Sequence, residues 1–160
     1  MDAEAFRESA SVLVFNVGSS SLTFRLYRDS QVLVRGKCHR VGVTGMEPAF
    51  METHRGEVSE KLMLALPDHV TAATHVFDYL AEHRPEVDAV GHRFGDGGGY
   101  FTRSTIVDAS TRPLLERCVP LAPLHNAAAL AMVRAWKCSP VWTAPKISSS
   151  STRCRTLRRD

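Results

Sequence analysis

Ser11-Val12-Leu13-Val14-Phe15-Asn16-Val17-Gly18-Ser19-Ser20-Ser21-Leu22-Thr23-Phe24-Arg25-Leu26-Tyr27 decides how this 160-residue chain is read. Its first seven residues are a short apolar run suited to a buried strand, and Leu22 to Tyr27 alternate with the period of two that a half-buried strand requires. Gly18 and the serines between the two runs supply a turn. A third strand is expected after an Asp29-Ser30 turn, with Val32 and Val34 on one face and Leu33 and Arg35 on the other. The chain is thus expected to open with three consecutive antiparallel strands.

Beyond a stretch of Gly, Met and Glu residues with no clear period, Asp68 is placed to cap a helix that carries Val70, Ala73, Val76, Phe77 and Leu80 on one side. Arg84-Pro85 ends it, because the residue before proline is pushed out of the helical region. Val87 to Phe94 then read as a strand entering a glycine-rich loop, and a second helical pattern begins near Asn126 with Ala129, Leu130, Met132, Val133 and Trp136. Strand, loop and helix alternate as in an α/β core. No amphipathic period continues past Trp136. Three regions follow: a flexible terminus at 1–10, an ordered domain at 11–136, and a disordered basic tail at 137–160.

The net charge of +3 is unevenly distributed. Residues 137–160 hold six basic groups against Asp160, leaving 14 basic and 16 acidic groups in the rest, so the body lacks the charge of a nucleic-acid-binding domain. Cys38, Cys118, Cys138 and Cys154 have no zinc-type spacing. An acidic first turn without an apolar core is no secretory signal, and no run of about 18 apolar residues exists to span a membrane. Free thiols in the reducing cytoplasm, with no nucleic-acid or membrane partner, are the expectation.

Three segments carry chemistry. Asn16 to Ser21 lack the spacing of a P-loop, yet backbone N–H groups and hydroxyls in a tight turn form an anion-binding concavity, and Asn16 stands where it could reach a metal directly or through water. The same string alone also reads as an ordinary Gly/Ser hairpin turn. Arg93 sits where a strand meets Gly95-Asp96-Gly97-Gly98-Gly99; its planar fork can grip a carboxylate or phosphate with two parallel bonds. Tyr100 stands where a dinucleotide-binding fingerprint would need glycine. Pro120-Leu121-Ala122-Pro123-Leu124-His125-Asn126 bring a stiff lead-in to a His and an Asn at a helix start, where Asn126 alternatively serves as a plain N-cap.

Taken together, Val12 to Leu22, Val90-Gly91-His92-Arg93 with its glycines and Phe101, and Pro120 to Asn126 resemble the acetate and propionate kinase family over roughly residues 11–136. The resemblance implies an incomplete N-terminal α/β domain of the actin-like, sugar kinase and heat-shock ATPase fold with a ribonuclease H-like core. It implies reversible transfer of the γ-phosphoryl group of ATP to acetate or propionate, giving an acyl phosphate and ADP, with Mg²⁺ as the metal. On this basis Asn16 would help place Mg²⁺, and Gly18, Ser19 and Ser21 would line the phosphate loop. Arg93 would hold the carboxylate, Leu124 would wall the methyl pocket, and His125 would lie near the transferring group.

The departures are specific. The family usually has Lys where this chain has Thr23, removing a cation near the nucleotide phosphates. Gly95 and Asp96 replace its usual residues ahead of the glycines, and Asp96 is placed to pair with Arg93. The family's catalytic Asp, adenosine pocket and dimer interface belong to segments beyond the matched region, so a remnant that retains only a carboxylate- and phosphate-binding half-site is the alternative function. The abrupt change of composition after Trp136 is what a shifted reading frame produces, and resequencing the gene tests it.

Overall fold

The computed structural model describes residues 10–83, 85–136 and 154–157. Five strands form an antiparallel meander: β1 Ser11–Val17, β2 Ser21–Arg28, β3 Gln31–His39, β4 Phe50–Arg55 and β5 Val58–Met63. Helix α1, His69–His83, then crosses the sheet and delivers β6, Ala89–Arg93, parallel to β1 on its free side. Next come β7, Thr105–Val107, and α2, Arg112–Cys118; a 3-10 turn at Val119–Leu121 leads into α3, Pro123–Trp136. Strand β8, Cys154–Leu157, pairs parallel with β6 and antiparallel with β7, completing the order β5-β4-β3-β2-β1-β6-β8-β7.

The opening behaves as its sequence dictates. Asp29 and Ser30 take φ of 47° and 66°, the left-handed pair of a type I′ turn, whose twist matches that of the strands it joins. The side chain of Asp68 accepts a hydrogen bond from the Thr71 N–H at 2.7 Å, the N-cap arrangement expected for α1.

Two expectations change, and one short strand is added. Val32 and Val34 do not share a face: the β2–β3 register slips between Leu26 and Tyr27, so Val32 pairs with Tyr27 while Val34 pairs with Leu26. This bulge leaves Val32 46% exposed and Val34 1% exposed. Helix α3 begins at Pro123, where a missing N–H costs nothing, rather than near Asn126. Within the tail expected to be disordered, Cys154–Leu157 form β8, filling hydrogen-bonding positions that β6 and β7 leave open; residues 137–153 and 158–160 lie outside the described residues. The β4–β5 hairpin, β7 and α2 occupy stretches in which the sequence suggested no element.

Both long helices pack on one face of the sheet. Leu13, Phe15 and Val17 of β1, with Leu22, Phe24 and Leu26 of β2, point into a core completed by Val76, Phe77 and Leu80 of α1 and Leu130 and Val133 of α3. Phe15 meets Phe77 edge to face at 5.6 Å. His92 of β6 lies in the same layer, 2% exposed and stacked on Phe15 at 5.9 Å. Among the described residues neither ring nitrogen has a hydrogen-bond partner, and burial drives its pKa down to about 4, so the ring is neutral. The opposite face, carrying Val12, Val14 and Asn16, is only partly covered.

Candidate functional site

The residues singled out in the sequence gather at the carboxyl ends of β1 and β6, the position where open α/β sheets place ligands. Parallel pairing sets Asn16 directly beside Arg93, and the Arg93 Nη1 donates to Asn16 Oδ1 at 3.2 Å across a sequence separation of 77 residues. On its other side Asn16 pairs with Thr23, which in turn pairs with Lys37 and then Glu52. Directly opposed residues share a face, so one polar row crosses the open side of the sheet. The Glu52 carboxylate, hydrogen-bonded to His39 at 2.7 Å and close to further positive groups, is held below the ordinary carboxylate range.

The Gly18–Ser20 turn closes with the Gly18 N–H donating to Ser21 O at 2.8 Å. Ser21 Oγ lies close over Gly18, so a side chain at that position would have to displace this hydroxyl from the turn. His69 at the start of α1 donates from Nε2 to Gly18 O at 2.8 Å, and Ser20 O accepts from the Val41 N–H at 2.9 Å. Two separate elements thus buttress the turn, while Ser19 and Ser20 remain exposed. His69 was missed in the sequence because a helix-start histidine carries no local signal of what it will face.

Asn126 proves to be a tie between loops. Fully buried, it accepts from the Gly95 and Asp96 N–H groups at 3.0 and 3.2 Å, and donates to Asp96 O at 2.9 Å and Cys118 O at 2.7 Å. All four hydrogen-bonding positions of the amide are used, so the loop following Arg93 is fixed to α3 and to the end of α2. Gly95 fits because a Cβ there would lie 3.0 Å from Asn126 Oδ1 and 3.2 Å from the His125 Cβ. His125 therefore borders the loop just after Arg93. It is exposed, as is Leu124 at 77%.

Asp96 does not pair with Arg93 as its spacing suggested. Its Oδ1 accepts from the Gly98 N–H at 2.8 Å, so that oxygen is engaged within the loop; the Arg93 side chain is exposed and, among the described residues, is hydrogen-bonded only by Asn16. Among the described residues no group of three or more His, Cys, Asp or Glu side chains converges as a metal site. Asn16 offers one neutral oxygen beside a fixed positive charge, which does not fit a resident divalent ion; such an ion is normally held by carboxylates and substrate phosphates. Likewise, no helix among the described residues is long and apolar enough to cross a membrane.

A buttressed Gly/Ser turn and an exposed arginine at parallel strand ends give this α/β domain the chemistry that could receive an anion. The family model for the acetokinase family matches residues 11–147, and the chain belongs to that family. The match continues eleven residues past the expected limit of 136. The acetate kinase of Caldanaerobacter subterraneus is 36% identical over 135 residues, covering 78% of this chain and 33% of the relative. That of Mycoplasma pneumoniae is 38% identical over 121 residues, covering 72% and 30%. Among solved structures, acetate kinase from Porphyromonas gingivalis aligns with a TM-score of 0.77 at 29% identity, over 94% of this chain and 37% of that one. A propionate kinase from Francisella tularensis aligns with a TM-score of 0.76 at 25% identity, over 93% and 36%. The chain spans about a third of the length of these relatives.

Proposed function

We propose that this chain supplies the carboxylate- and phosphate-binding wall of a site that transfers a phosphoryl group between ATP and acetate or propionate, with acyl phosphate and ADP as products. The observation that carries the reading is the alignment of Asn16 and Arg93 on adjacent parallel strands beside the Gly18–Ser21 turn, with the Arg93 side chain exposed. In this reading Arg93 binds the carboxylate through two charge-assisted bonds. Leu124 lies against its alkyl group, and the N–H groups and hydroxyls of Ser19 and Ser21 receive phosphate oxygens. His125, next to the loop, faces the developing charge. Thr23 contributes a hydroxyl in place of a cation. Such a wall works by alignment and charge neutralisation rather than by covalent chemistry. Mg²⁺ would arrive with the nucleotide phosphates and not be held by this wall, where Asn16 offers a single neutral oxygen. The two free, buried thiols Cys38 and Cys118 favour a reducing, cytoplasmic setting.

A hydroxamate assay with acetate, ATP and Mg²⁺, run beside an NMR titration with acetate, tests the proposal. Turnover that disappears in Arg93→Ala supports the complete reaction. Saturable acetate binding that needs Arg93, without turnover or calorimetric ATP binding, supports the half-site. Acetate binding indifferent to Arg93 overturns both.

A further inference from the structure

A second basic concavity lies on the open face, toward the far end of the meander. Arg25 of β2 pairs directly with Arg35 of β3, and Arg35 pairs with His54 of β4, so three basic side chains stand in one cross-strand row. Like charges directly opposite on a sheet repel, and a sheet tolerates the pair more readily when an anion compensates it. Among the described residues Glu52, two residues along β4, interacts with His54 at one end of the row, but no ion pair reaches either guanidinium. The ion pairs of Arg28, Arg40 and Arg134 lie elsewhere, and neither Arg25 nor Arg35 has an acidic partner among the described residues.

The row borders an open concavity of about 290 Å³ lined by Arg25, Val32, Leu33, Arg35, His54 and Gly56, without a single carboxylate. The β2–β3 bulge makes it amphipathic, because the register slip turns both Val32 and Leu33 toward the face that Arg35 occupies. Gly56, at the β4–β5 turn with φ of 60°, leaves the rim open. The His54 ring is oriented by a 2.8 Å hydrogen bond between Nδ1 and Ser59 Oγ, and Nε2 has no described partner.

We propose that this concavity binds a small phosphomonoester carrying an apolar group. The phosphate lies between the Arg25 and Arg35 guanidinium groups, which match it two bonds at a time. His54 borders the anion, and the apolar group rests on Val32 and Leu33. The site is separate from the strand-end pair Asn16 and Arg93, and the proposal stands whether or not the acetate reading does.

The test is an NMR titration of this chain with inorganic phosphate and with phenyl phosphate, at ionic strength held constant with potassium chloride. Saturable shifts at Arg25, Arg35 and His54 are expected, with phenyl phosphate binding several-fold more tightly than phosphate. Arg25→Gln combined with Arg35→Gln should weaken binding at least tenfold, while Arg93→Ala leaves it unchanged. The double variant should melt no lower than the parent in phosphate-free buffer, since it loses a repulsion, and should no longer gain melting temperature from phosphate. Shifts reproduced by potassium chloride alone, shifts confined to the strand ends and lost in Arg93→Ala, or equal affinity for the two anions would each overturn the proposal.

Discussion

The two faces of one sheet have been given different work. On the face under α1 and α3, Leu13, Phe15, Leu22, Phe24 and Leu26 are at most 1% exposed, and His92 of β6, in the same layer, has no hydrogen-bond partner among the described residues. On the other face the same strands present Asn16, Thr23, Arg25, Arg35, Lys37 and Arg93, with few bonds among them. Strands alternate their side chains, so adjacent residues such as Phe15 and Asn16 or His92 and Arg93 belong to different tasks. A change of one residue in position therefore moves a substitution from stability to recognition.

The sharpest way to break this division is Phe24→Ala, which should cost about 3–5 kcal/mol in urea unfolding by removing a fully buried ring. A cost similar to that of an open-face change would mean that the two faces are not distinct. His92 gives the next effect. Its folded pKa of about 4 lies below the ordinary imidazole value of 6.5, so the unfolded chain binds the proton first as pH falls. The stabilisation is present in full above about pH 6.5, and it is lost as pH drops toward 4, amounting to roughly 3 kcal/mol. Unfolding curves between pH 7 and 4 should therefore be flatter for His92→Phe than for the parent; identical slopes would remove His92 as the cause.

Asn126→Ala should cost about 2 kcal/mol, since it leaves buried N–H and C=O groups unpaired. Hydrogen exchange should accelerate at Gly95 and Asp96 while β1 to β3 stay protected. Uniform acceleration would place Asn126 in the common core instead of at a local tie. Arg93→Ala closes the series: stability should stay within about 0.5 kcal/mol of the parent, as for an exposed side chain, while acetate binding is lost.

How far these features were legible varies with the range of the signal. The β1–β2 hairpin, the Asp29-Ser30 turn and the Asp68 cap depend on neighbours within a few residues, and the sequence carries them openly. The bulge that separates Val32 from Val34 does not announce itself, because a strand's register is set by its partner. Asn126 has a helix-cap composition and a loop-tie function; only the fold brings Gly95 and Asp96 within its reach. The fate of Asp96 was misjudged for a related reason. Its short side chain bonds more readily to the Gly98 N–H two residues on than to a guanidinium across the strand end. The β4–β5 hairpin was missed because its positions are mixed in polarity: no residue of β5 is fully buried, and Val58 and Met63 are exposed.

The 77-residue separation of Asn16 and Arg93 has a consequence for the order in which the molecule comes together. Hairpins such as β1–β2 close short loops and can form early. The β1–β6 pairing must close a loop that contains the entire meander and α1, and it accumulates that entropic cost before any contact returns it. A chain emerging from the ribosome thus has its phosphate-type turn long before it has an arginine to set beside it. The acetate binding proposed for the strand ends would consequently report a late stage of folding, one that a trapped or half-assembled sheet would not satisfy.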